Sequence, residues 1–257
     1  MAVDPILLVA AALMGLCIGS FLNVCIVRLP ADMSLVNPPS TCPRCKQPIA
    51  WRDNIPVVSW LLLKGRCRRC GEPISRQYPI IEAAVGAIWV AAVLLYGITL
   101  HALAAALFGT ILLGIGVTDG RHYLIPDEYT WGGLVLGLAL SLAGGADGFL
   151  NAVLGAAAGF ALLFAVAQVG QWAFKEEAMG GGDIKMMAMV GSFVADWRKV
   201  LLTVFLGALL GSLIFVPLSL KKKRLVPFGV FLALGAAVTF VMGDAIIAWY
   251  QHFLHGE

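Results

Sequence analysis

Apolar residues run through this chain in long blocks, and the polar positions collect in the gaps between them. The blocks cover residues 5–27, 79–98, 101–118, 129–144, 148–172, 184–195, 199–219 and 227–250. A membrane-spanning helix needs about 20 apolar residues, and the pattern predicts an all-α polytopic membrane protein with about eight transmembrane helices. The sixth block has only 12 residues and fits a half-helix buried among the others, because broken helices at membrane depth must be enclosed by protein. The first block has the length of a signal sequence. It lacks a basic leading segment, contains Asn23 and runs straight into a basic loop, so it reads as a mature helix.

Composition agrees. The chain is 60% apolar and 13% charged, with mean hydropathy +0.88, against about 25% charged in soluble domains. Its net charge of +3 is small, and no nucleic-acid partner is expected. The distribution of charge says more. With eight spans, the loops 28–78, 119–128, 173–183 and 220–226, with their boundary residues, hold 16 of the 18 Lys and Arg residues. The other side holds Arg198 and Lys199. Basic loops stay cytoplasmic, so this split predicts both termini outside. It also puts two aspartates, Asp119 and Asp183, on the cytoplasmic face.

The 28–78 segment is the only sizeable loop. It carries CPRCKQPI and CRRCGEPI, an internal repeat offset by 25 residues. Cys42, Cys45, Cys67 and Cys70 have the spacing of a tetrahedral zinc site, and Gly71 supports the second turn. A loop this small buries little core, so a metal would supply folding energy. Disulfides are disfavoured where thiols stay reduced. A redox motif rarely comes as a tandem repeat. Cys17 and Cys25, in the first span, read as packing residues. The surrounding Arg and Lys residues act as topology signals, or else contact anionic lipid or an anionic cosubstrate.

Carboxylates near membrane depth are expensive and point to function. Asp119 ends the third span, against the helix dipole, which raises its expected proton affinity. Asp183 begins a helix after three glycines, where the dipole favours the anion. Gly180 and Gly182 would permit unusual backbone angles and close approach of another chain. Two such aspartates on one face suggest a pair that shares one proton and activates water, with Asp183 the more often ionised. The competing reading of Asp183 is a helix cap. For Asp127, after Pro126, capping of the fourth span or local structural support is the stronger reading. Lys185 either orients a carboxylate or marks the membrane edge. Glu82 is expected to pair with an arginine or act in binding, and Asp244 to lie near the outer interface. His101 and His122 sit at opposite ends of one span and do not suggest a shared metal.

The order of GSFLNVCIVRLP, the two cysteine pairs, SRQYPIIE, DGRHYLIPD and GGGDIKM resembles the type IV prepilin peptidases. These are bifunctional enzymes of the bacterial inner membrane that contain the GxGD motif of intramembrane aspartyl proteases. The resemblance covers nearly the whole chain. It implies cleavage of a basic leader from type IV prepilins or type II secretion pseudopilins, with Asp119 and Asp183 catalytic. It also implies N-methylation of the new terminus by S-adenosylmethionine, tied to the cysteine loop, where Gly65 matches a methylation-linked position. The domains expected are 1–27 as the first membrane helix, 28–78 as the tetracysteine domain and 79–257 as the protease core. Substrate and membrane lipid are the partners, and Asp127, Glu128, Glu176 and Glu177 are expected to attract the basic leader. The rival readings are a transporter or channel with intramembrane acids, and a non-catalytic zinc scaffold of a secretion system. Acids clustered at one edge rather than across several spans favour the protease.

Overall fold

A computed structural model describes residues 4–175, 179–219 and 226–255. Glu176, Glu177, Lys221, Lys222, Lys223 and Arg224 lie outside the described residues. The helices are α1 (Pro5–Arg28), α2 (Val58–Leu62), α3 (Gln77–Tyr96), α4 (Leu100–His122), α5 (Asp127–Ser141), α6 (Gly145–Phe174), α7 (Gly181–Val194), α8 (Trp197–Ser219) and α9 (Phe228–His255). Apart from the short α2, these match the eight apolar blocks in order.

Among the described residues, six stretches are long and apolar enough to cross a membrane: Pro5–Ala31, Gln77–Tyr96, Leu100–His122, Asp127–Ala173, Trp197–Ile214 and Phe228–Leu254. This is fewer than the eight expected, for two reasons. Only a short 3₁₀ turn, Leu142–Gly144, separates α5 from α6, so both fall in one apolar stretch of 47 residues. Helix α7 has 14 residues, which at about 1.5 Å each falls short of a hydrocarbon layer about 30 Å thick.

The chain divides into two compact units, Met1–Thr110 and Ile111–Glu257, with the boundary inside α4. In the first, α1 packs on α3. Gly15 and Gly19 of α1 let the two backbones approach: a Cβ on Gly15 would stand 2.8 Å from Gly86 Cα, and one on Gly19 2.8 Å from Glu82 Cα. Beside this contact, Asn23 is fully buried. Its Nδ2 donates to Gly19 O (3.3 Å) and Tyr78 O (3.1 Å), and its Oδ1 accepts from Gln77 Nε2 (3.3 Å). Buried polar groups must be satisfied, and here they tie the end of α1 to the start of α3. Among the described residues, Glu82 pairs with no arginine. It is buried, and its Oε2 accepts the Val57 N–H at 2.7 Å. Val57 needs such a hold, because its φ of +59° is strained for a β-branched residue. Cys25 is buried as expected, whereas Cys17 is exposed on the outer surface of α1.

In the second unit the short α7 is the centre. It contacts α5, α6, α8 and α9, and Met186–Ser192 are all buried. The expectation of an enclosed half-helix fits this packing. Glycines make the enclosure possible, since small residues let helix backbones touch where lipid supplies no hydrophobic drive. Gly155 of α6 lies against Gly191 of α7, and Gly159 against Met187, backbone to backbone. Gly191→Leu is expected to destabilise this unit by about 3 kcal/mol through overpacking. That should lower the unfolding midpoint in detergent by roughly 10 °C. An unchanged midpoint would show that α6 and α7 can part freely. Elsewhere in this unit Asp244 pairs with Lys199 at 2.8 Å, and Asp196 with Arg198 at 2.8 Å.

Candidate active site and metal centre

In the second unit, Asp119, Asp127 and Asp183 meet at the N-terminal end of α7. Asp119 lies in the last turn of α4 and is buried, at 6% exposed. After His122 the chain leaves the helix through Tyr123, whose φ is +54° and whose N–H returns to Asp119 O at 2.9 Å. The connection then carries buried Ile125 to the start of α5 at Asp127. Asp119, residues of this 123–127 connection, Gly180, Gly181, Gly182, Asp183 and Lys185 line one cavity of about 280 Å³. Both carboxylates therefore face the same space.

Neither capping reading holds. The N-cap of α5 is Pro126 and that of α7 is Gly180, and no side chain caps either helix. Asp127 is instead held by Lys185, whose Nζ donates to both carboxylate oxygens at 2.7 and 2.8 Å. The pair is partly exposed on both sides. Asp183 is the third residue of α7, half-buried, and its Oδ1 has no hydrogen-bond partner among the described residues.

The glycines before Asp183 act by size, not by angle. Gly180 has an ordinary extended backbone, with φ −68° and ψ 140°. A Cβ on Gly182 would stand 3.0 Å from Ile125 Cβ, whereas Gly181 faces open space. The site also contains a residue that the sequence did not single out. Gly229, at the start of α9, is so close that a Cβ would meet Ile125 Cδ1 at 2.7 Å and Asp119 Oδ2 at 2.9 Å. The next residue, Val230, donates its N–H to Asp119 Oδ2 at 3.1 Å. Asp119 thus sits at the end of its own helix and at the N-terminus of another. Asp119 Oδ2 shares the Val230 N–H with Pro227 O, which lies 3.3 Å from that nitrogen, whereas Asp183 Oδ1 has no hydrogen-bond partner among the described residues. No signal in the sequence identified Gly229 beforehand, because the close approach is made by α9, more than 100 residues away along the chain.

In the first unit the sequence repeat is a structural repeat. Cys42 N donates to Gln47 O and Cys67 N to Glu72 O; Ile49 N to Ser40 O and Ile74 N to Gly65 O. Lys46 and Gly71 both take left-handed backbone, φ +56° and +71°, at the same step of the two turns. Side chains cross between the halves in matching pairs, Arg69 to Gln47 at 2.9 Å and Arg44 to Glu72 at 3.7 Å. The two turns are therefore related by a pseudo-twofold. Their four Sγ atoms all lie within 4.8 Å of one another. Cys42 Sγ and Cys70 Sγ are 3.7 Å apart, and all four cysteines are free thiols. A tetrahedron with Zn–S of about 2.3 Å has sulfur edges of about 3.8 Å, so the residues fit a zinc ion.

Thiol chemistry agrees. Backbone N–H groups of Cys45 and Arg44 point at Cys42 and bring it down to about 7, and those of Cys70 and Arg69 lower Cys67. Cys70 receives the Glu72 N–H, yet burial and the neighbouring sulfurs push it up to about 11. Four crowded sulfurs lose their protons together only around a cation.

Gly65, with φ +66°, supports the second turn from below. A Cβ there would stand 2.7 Å from Trp60 Cζ2, and the Trp60 indole N–H donates to Ile74 O at 3.2 Å. His101 stacks edge-on to Tyr96 at the far end of α4 from His122.

Comparison with known proteins decides what these two units are. Residues 13–96 match the model of the bacterial peptidase A24 N-terminal domain, and residues 106–216 match that of the type IV leader peptidase family. An Aeromonas hydrophila protein named prepilin leader peptidase/N-methyltransferase is 34% identical over 274 residues, 93% of this chain and 91% of its own length. The chain belongs to the type IV leader peptidase family. A Bacillus subtilis protein of the same name is 34% identical over 240 residues, covering 92% of this chain and 94% of that protein. One from Myxococcus xanthus is 38% identical over 223 residues, 87% of this chain and 66% of that protein. No solved structure matches the chain. The first family match contains the four-cysteine cluster, and the second contains Asp119 and Asp183. Gly229 lies beyond both matches, and α9 brings it against Asp119.

Proposed function

We propose that this protein removes the leader from membrane-inserted prepilins or pseudopilins and N-methylates the terminus it exposes, with Asp119 and Asp183 as the water-activating pair. The observation that carries the reading is the single cavity lined by both carboxylates, brought together from α4 and α7 in a chain of the leader peptidase family. One proton shared between two close carboxylates leaves one of them to take a proton from water and the other to donate one to the leaving group. The shared proton belongs on Asp183, since the Val230 N–H donates to Asp119 and favours the charge there. An extended substrate segment can lie against the bare backbone of Gly181, which faces open space.

The basic loops mark the cytoplasmic side of the bacterial inner membrane. On this reading both termini are periplasmic, and the aspartates stand at the cytoplasmic edge, where the apolar helix of a substrate would end. Residues 28–78 form the methylation-linked domain. Zinc held by Cys42, Cys45, Cys67 and Cys70 supplies folding energy there and no reaction step, and S-adenosylmethionine is the methyl donor. Family membership leaves no support for the transporter, channel or scaffold readings.

The test is a reconstituted assay on a membrane-embedded prepilin, following leader release and methyl incorporation separately. A wild-type chain that does neither overturns the reading. Gly229 gives a finer check. Gly229→Val forces Asp119 or Ile125 aside, and a displacement of about 1 Å at a reacting group costs about 100-fold in turnover. Full turnover in Gly229→Val would mean that the Asp119 position is not critical.

A further inference from the structure

Among the described residues, Lys185 is the only basic side chain lining the cavity that holds both carboxylates. Two kinds of acceptor compete for it there. One is Asp127, which takes the ammonium on both oxygens at 2.7 and 2.8 Å. The other is the inner pair, where Asp183 Oδ1 has no hydrogen-bond partner among the described residues. Residues two apart on a helix do not share a face, so Lys185 could meet Asp183 only by turning inward across the cavity. A cavity of about 280 Å³ is narrow against a four-carbon stem, so that turn is within reach.

An ammonium on Asp183 would be damaging. A pair that shares one proton carries one negative charge, and the ammonium would compensate that charge in place of the proton. It would also fill space that water needs. The Lys185–Asp127 pair itself is partly exposed on both sides, and pairs of that kind contribute little to stability. Its effect lies in where it keeps the lysine charge.

We propose that Asp127 is a positioning residue that holds Lys185 at the outer side of the cavity and keeps its charge off the Asp119–Asp183 pair. This rests on the reading of those aspartates as the catalytic pair. The groups around the lysine are Asp127 at the start of α5, Asp119 and Tyr123 at the end of α4, and Asp183 on α7 itself. The rival account is a simple tie, in which the ion pair fastens the 123–127 connection to α7. The two accounts differ in sign when both partners are removed. A tie is already broken by either single change, and removing both gains nothing. A diverted charge does harm only while the lysine remains.

The experiment uses the full chain in proteoliposomes with a membrane-embedded prepilin, and measures kcat, KM and the unfolding midpoint. Asp127→Asn should lower kcat about 30-fold with KM changed less than about threefold. Asp127→Glu, which keeps a partner for the lysine, should retain most of the turnover. The double variant Asp127→Asn/Lys185→Gln should turn over faster than Asp127→Asn, reaching about the rate of Lys185→Gln alone, a coupling expected only of groups that interact. A double variant as slow as Asp127→Asn or slower, or no rescue by Asp127→Glu, overturns the proposal. A midpoint that falls in Asp127→Asn and stays low in the slow double variant assigns the pair to a tie. Asp183→Asn is run alongside. Leader release by that variant would remove the catalytic reading itself, a failure separate from the loss of rescue.

Discussion

Asp119→Asn and Asp183→Asn are each expected to lower leader release by roughly 1000-fold or more, the upper range for loss of positioned acid–base catalysis. The reason is the arrangement of the cavity. Both carboxylates line it, and Asp183 is not used up as a cap of α7. An amide in either place cannot share the proton or take one from water. Because the two act as one unit, the double variant should be about as slow as each single one, and not slower by the product of the two losses. Asn is nearly isosteric with Asp, so the unfolding midpoint should hardly move. Single-turnover cleavage of a membrane-embedded prepilin is the measurement. Turnover above about one tenth of wild type in either variant would remove that residue from the chemistry.

The second large effect concerns the cysteine cluster. Stripping zinc with a chelator, or replacing Cys67 by Ser, is expected to release one equivalent of metal and open the 40–75 region to protease. Apparent binding energies at structural zinc sites are on the order of 10–16 kcal/mol, more than a module this small can replace from its own core. The turns around Cys42 and Cys67 rest on few backbone bonds each, and Lys46 adopts a left-handed conformation that a non-glycine residue holds at some cost. With the cluster open, methyl transfer to a substrate that has already been cut should be lost, which separates this effect from any change in cleavage. Metal analysis and limited proteolysis check the structural half. A cluster that stays protease-resistant without metal would overturn the zinc assignment.

Much of this could be read in the chain itself. Apolar blocks predict the helices because a span must satisfy its own backbone in lipid, and the eight blocks correspond in order to the eight longer helices. The four cysteines were legible because metal ligands in short turns have a fixed local spacing, and the 25-residue repeat gives two matching turns. Asp119 and Asp183 stood out because charge at the membrane edge is costly.

What the chain could not disclose are contacts made between distant segments. Asp127 follows a proline at a helix start and has every local mark of a cap, but Lys185, 58 residues on, takes its charge. The local dipoles favour Asp183 for the negative charge and carry no trace of the Val230 N–H, at the start of α9, that donates to Asp119. Gly229 has no mark at all, and Ile125 is one apolar residue among many. Local rules of spacing, capping and hydropathy depend on neighbours a few residues away, and the sequence by itself determined whatever those rules govern: the helices, the cysteine turns and the identity of the two acids. The partners of those acids depend on which helix ends meet in space. Only the packing of α4, α7 and α9 around Ile125 decided that, because hydrogen bonds and ion pairs act over a few ångströms, whatever the separation along the chain.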